Sequence, residues 1–157
     1  MSPDIVSVLD AIQPSQFTAP ADRFAAKEAA RRLLARLETP FEQSWAVTFE
    51  TPGLVAGLQL VQDLGIWTKW TEADSKNPGV ARTLDELLSW ANTTCEPNLL
   101  RRFLRHIAAL YFIQEVGVDT WEPTAASLAL GAQETHTGEV IKAGYVCKTR
   151  NDETYRD

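Results

Sequence analysis

The sequence predicts a mainly α domain carrying a helix-turn-helix closed by a short two-stranded β wing. Three observations predict it. Apolar residues recur at helical spacing behind Pro and Thr-x-x-Glu starts. Two such segments, 83–91 and 97–110, are parted only by a short polar turn around TTCE. The second runs directly into YFIQEVG and DTWEPT, two short runs rich in aromatic and β-branched residues that part around Gly117, as the strands of a wing would.

Each element has a local reason. SPDIVSVLDAI sets Ile5, Val6, Val8, Leu9 and Ile12 behind a Ser-Pro start. PADRFAAKEAARRLLARL places Phe24, Leu33, Leu34 and Leu37 against Lys27, Arg31, Arg32 and Arg36, so both segments read as amphipathic helices. Thr39-Pro40-Phe41-Glu42 is a capping box with proline at the first helical position, opening a segment with Trp45 and Phe49. Thr51-Pro52 reopens the helix, TPGLVAGLQLVQDLG is apolar around most of its circumference, and Gly65 stops it. TEADSKNPGVAR reads as an interior loop. Thr83-Leu84-Asp85-Glu86 is a second capping box, with Leu84, Leu87, Leu88 and Ala91 on one face. After Pro97, Leu99, Leu100, Phe103, Leu104, Ile107 and Ala108 form an apolar stripe, and Arg101, Arg102, Arg105 and His106 line the other face. Trp67, Trp90 and Trp121 are expected to pack in the core. After Gly131 the periodicity is lost, which predicts a polar, flexible tail.

The resulting organisation is N-terminal helices over 1–38, the helix-turn-helix unit over 39–131 and the tail over 132–157. The 157 residues suffice for one domain's core. Fifteen Lys+Arg against 21 Asp+Glu give a net charge of −6, which argues against a nucleic-acid or anionic-membrane partner. No basic leader and no run of about 18 apolar residues occur, so the reading is a soluble, cytoplasmic protein. Cys95 and Cys147 lack metal-ligand spacing, and neither metal nor disulfide is expected. His106 and His136 are the only imidazoles and have no Ser, Cys or Asp at informative spacing, so no catalytic constellation stands out. The Arg101/Arg102/Arg105/His106 strip is expected to pair with carboxylates of a partner or a neighbouring helix rather than with DNA, because acids at Glu115, Asp119 and Glu122 flank it.

Pro40 to Ala46, LVAGLQLVQDLGIWTKW, and TLDELLSWANTTCEPNLLRRFLRHIAALYFIQEVGVDTWEPTAASLAL succeed one another in an order that resembles the N-terminal domain of fungal secondary-metabolite O-methyltransferases, over about residues 40–130. The resemblance implies a winged helical dimerisation domain that intertwines two subunits and closes the back of the partner's substrate pocket. It also implies that methyl-transfer chemistry lies in a following domain, with a glycine-rich loop for S-adenosylmethionine and a histidine base. The glycines here, at 53, 57, 65, 79, 117, 131, 138 and 144, include no GxG, so no cofactor is expected unless a further C-terminal domain exists. Tyr111 stands where the family often has a small residue.

Two functions therefore remain open. One is a truncated O-methyltransferase-like protein acting as a dimerisation or binding module, partnered by itself or by a full-length O-methyltransferase, without methyl transfer of its own. The other is a small non-methylating enzyme, of cyclase, dehydratase or pericyclase type, holding an aromatic, polyketide or terpenoid intermediate in an inter-subunit cavity. Trp45 and Phe49, with Phe24 and Ile5, are the expected dimer-seam or ligand contacts; whether the chain is an enzyme stays open.

Overall fold

A computed structural model describes residues 4–132 and 138–141. Contacts group the chain into two units, up to Val47 and from Thr48 onward, with the Pro40 segment in the first.

In the first unit α1 (Ile5–Asp10) starts at Asp4, whose carboxylate accepts the Val6 amide at 3.3 Å. A 3-10 turn (Pro14–Gln16) leads to α2 (Pro20–Leu37), which opens on proline and stops at Glu38, whose backbone is already extended at ψ 138°. Thr39 and Glu42 form the expected reciprocal capping box of α3 (Pro40–Trp45), with the Thr39 N–H 2.7 Å from the Glu42 carboxylate. Among the described residues no side chain of this unit is buried.

The chain does not break at Thr51-Pro52, as the sequence suggested. It winds through a π-helical segment (Ala46–Glu50) straight into α4 (Thr51–Asp63). Pro52 has no N–H for the Thr48 carbonyl four residues back, and here the chain meets this by widening the helix just before the proline instead of ending it.

The core lies in the second unit. Gly65, at φ 71°, turns α4 sharply into α5 (Ile66–Lys76), and a side chain there would strike Asn92. Helix α5 continues through the first half of the expected TEADSKNPGVAR loop, to Lys76, because Thr71, Ala73 and Asp74 are half-buried, and residues 77–81 are left as loop. A two-residue strand β1 (Arg82–Thr83) then precedes α6 (Leu84–Trp90), α7 (Pro97–Ala109), β2 (Ile113–Gly117), β3 (Thr120–Pro123) and α8 (Ala125–Gly131). The sheet has three antiparallel strands in the order β1-β3-β2 rather than the two expected. Thr83 must be extended to cap α6, and in that conformation Arg82 and Thr83 pair with Trp121 and Thr120. Strands β2 and β3 form the expected hairpin, with an irregularity between Glu115 and Gly117.

Leu58, Val61, Trp67, Trp70, Leu87, Leu100, Leu104, Ile107, Ile113 and Trp121 make the centre of the core. The Trp67 indole N–H donates to the Leu58 carbonyl at 3.1 Å, fastening α5 to α4. Trp90, expected in the core, is only half-buried, and its ring lies 5.5 Å from the Arg82 guanidinium. Leu99, expected in the apolar stripe of α7, is exposed.

Candidate functional site

The expected contact residues fall into separate settings. In the first unit Ile5 is 76% and Phe24 61% exposed. Phe24 lines an open groove of about 1010 Å³ between α1 and α2, with Leu9, Ile12, Phe17 and Leu33 on the floor and Arg23, Lys27 and Arg36 as its charged lining residues. Lys27 sits 5.4 Å from the Phe24 ring, so part of this rim is a cation–π contact. Trp45 ends α3 and packs its ring 5.9 Å from that of Phe41. Six residues of α1, α2 and α3, Ile5, Val6, Phe24, Leu34, Leu37 and Phe41, are large, apolar and more than half exposed.

In the second unit Phe49 projects from the π-helical segment and is 57% exposed. The basic strip of α7 divides. The Arg101 guanidinium donates to the Asp119 carboxylate at 2.8 Å and also to the Asn98 side chain. Arg105 donates to Glu115 at 3.2 Å and lies 3.6 Å from Asp119. The Asp119 hydrogen bond is the main reason the Arg101 pKa is held above the ordinary arginine value. The carboxylates expected from a partner or neighbouring helix are thus supplied, for these two arginines, by the hairpin of the same chain. Arg102 is exposed to solvent.

His106 departs from its expected place among the surface arginines. It is half-buried against α4, with Nε2 3.0 Å from the Glu50 carbonyl. A carbonyl only accepts, so this ring nitrogen carries the proton and donates. The ring fits because residue 53 is glycine: a Cβ there would stand 2.8 Å from Nε2. One turn on, a Cβ at Gly57 would stand 3.0 Å from Phe103 and 3.3 Å from Ile107. The Gly53–Gly57 pair is what lets α4 approach α7 closely, and its four-residue spacing was the sequence signal for it.

Cys95 is a free, half-buried thiol whose pKa is pushed up by burial and then by the neighbouring Glu96 charge, the opposite of an activated nucleophile. Among the described residues no cluster of His, Cys, Asp and Glu could hold a metal ion, and no helix is long and apolar enough to cross a membrane. Cys147, His136 and most of the expected tail lie outside the described residues.

No family model matches the chain. It is 32% identical over 125 residues to the O-methyltransferase mfmE of Annulohypoxylon moriforme, covering 80% of this chain and 30% of that protein. It is 30% identical over 128 residues to the O-methyltransferase ATR12 of Stachybotrys chlorohalonatus, covering 81% of this chain and 32% of that protein. The chain therefore spans about a third of the length of these curated relatives. Among solved structures it resembles a protein described as "A Pericyclic Reaction enzyme" and LepI in complex with SAM, each with a TM-score of 0.74 and 20% identity over 89% of this chain and 34% of that one. At that identity the likeness establishes the shared mainly α fold. Over four-fifths of its length, this chain is similar to a part of fungal O-methyltransferases.

Proposed function

We propose that these residues act as a self-association module of an O-methyltransferase-like protein of fungal secondary metabolism, pairing with a second copy or with a full-length O-methyltransferase. On this reading α6, α7 and the β2–β3 hairpin are a winged helix that does not read DNA, and the N-terminal helices, with Trp45 and Phe49, form the seam. One observation carries it: the first unit holds an 18-residue helix yet has no buried side chain among its described residues, while Ile5, Phe24, Leu37 and Phe41 are left open to solvent. An apolar surface of that kind is stabilised by covering it, as in obligate dimers. Two arginines of the α7 strip, Arg101 and Arg105, are already paired with Asp119 and Glu115, which favours a protein partner over duplex DNA. Sedimentation velocity tests the proposal. The expected species is twice 17.4 kDa, and a strict monomer at about 100 μM, where even a weak dimer with a Kd near 1 μM would be formed, refutes self-association.

A second reading is favoured by the likeness to LepI and to the protein described as a pericyclic reaction enzyme. Here the module contributes one wall of a cavity that shapes a polyketide or terpenoid intermediate. It predicts that an aromatic or polyene ligand raises the unfolding temperature, and that Phe49→Ala removes this ligand-dependent rise.

A further inference from the structure

We propose that His106 is a positioning residue of the association surface: by donating to the Glu50 carbonyl it holds the wide turn Ala46–Glu50 in one winding and so fixes the direction of Phe49. The inference rests on the self-association reading above, because it gives Phe49 a role only if that surface is used.

The need for such a clamp comes from the backbone. A π-helical turn is a rare winding that competes with the regular one, and such turns gather at functional positions. Pro52 stands two residues beyond its end and deprives the Thr48 carbonyl of its α-helical donor. Helices bend or rewind where the hydrogen-bond ladder is interrupted, and a side chain that inserts there selects one geometry. The His106 side chain reaches this junction from a different element, with Nε2 at 3.0 Å from the Glu50 oxygen.

The donor is well supported. It stands on α7, whose buried Leu100, Leu104 and Ile107 fix that helix in the core. The ring itself is seated against Gly53, where any side chain would push it off the carbonyl. Donor, support and clearance therefore come from two packed helices, α7 and α4. Phe49 is the residue next to the one clamped and lies in the same wide turn.

Three variants of the full chain test the proposal. His106→Leu keeps apolar bulk without a donor, His106→Gln offers an amide N–H at similar reach, and Gly53→Ala crowds the ring. Two quantities are read: the dimer Kd by sedimentation equilibrium, and hydrogen exchange of backbone amides 48–51 against amides 104–107. His106→Leu and Gly53→Ala are expected to weaken association about fivefold, the effect of one net hydrogen bond. Both are expected to speed exchange at 48–51 while 104–107 stay protected, and His106→Gln is expected to restore both quantities. Wild-type exchange and Kd in His106→Leu overturn the proposal, as does a His106→Gln that behaves like His106→Leu. If His106→Leu does not fold, Gly53→Ala decides: unchanged exchange at 48–51 in that variant overturns the clamp. A wild-type protein that stays monomeric while the exchange pattern matches expectation refutes the self-association reading and its role for Phe49, with the clamp itself intact.

Discussion

Tyr111 explains one oddity of the sequence. It follows α7 in the left-handed region at φ 64°, with its N–H bonded to the Ala108 carbonyl and the Phe112 N–H bonded to that of Ile107. That pairing is a Schellman ending, whose left-handed position favours glycine because a Cβ crowds the following carbonyl there. The ring is solvent-exposed, so removing it sacrifices little packing. Tyr111→Gly is therefore expected to stabilise the chain by about 1 kcal/mol in urea unfolding, the left-handed cost less glycine's extra freedom in the unfolded state. Gly131 has the opposite constraint. A Cβ there would lie 2.1 Å from the Trp67 carbonyl oxygen, a backbone atom that cannot swing aside. Gly131→Ala should destabilise by about 3 kcal/mol, because α8 must move off α5 to admit it. A wild-type unfolding midpoint in that variant would show that the two helices are not held this closely.

At the scale of elements, three helix starts share one device with different chemistry. Thr39/Glu42 and Thr83/Glu86 close reciprocal boxes with a carboxylate, whereas Thr124/Ser127 closes one with a hydroxyl. Backbone hydrogen bonds from Thr39 and Thr83 are the largest cause holding the Glu42 and Glu86 carboxyls below their ordinary pKa. A lowered folded-state pKa means stability that is present above the unfolded value and lost as the pH falls through the folded one. Acidification below the ordinary carboxylate range should therefore expose the Thr39 and Thr83 amides to exchange and spare that of Thr124. Equal loss at all three starts would contradict this. Both carboxylate boxes were legible in the sequence because a capping box is four local residues; α7 was legible by its periodic stripe and α4 by being apolar around most of its circumference. The parts that were not legible depend on tertiary partners. Nothing local in TEADSK shows that α5 is stabilised by the half-buried faces of Thr71 and Ala73. Nothing in Arg82-Thr83 shows a strand that exists only because Trp121 passes beside it. The strip on α7 was read correctly as basic, but which carboxylates answer it depends on where the hairpin turns back. His106 was misplaced because its partner, a backbone carbonyl, has no sequence signature.

At the scale of the whole molecule, the two units differ in what sustains them. The second has a continuous core, so it should stay folded on dilution. The first has helices without buried residues, and an isolated 18-residue helix is marginal in water. Far-UV helicity is thus expected to fall as the protein is diluted through its association Kd, while the packing signal of the core persists. A helicity independent of concentration from about 1 to 100 μM, spanning the range where a micromolar dimer dissociates, would show that the first unit needs no partner. The structure also supplies the means to read the persistent part. Trp67 and Trp70 stack within the core at 6.0 Å between ring centroids and 14° between planes. Two indoles held this close couple their electronic transitions, and unfolding of the core ends that coupling and changes their ultraviolet signal. The second unit thus carries its own optical label, and its folding can be followed without attaching a dye.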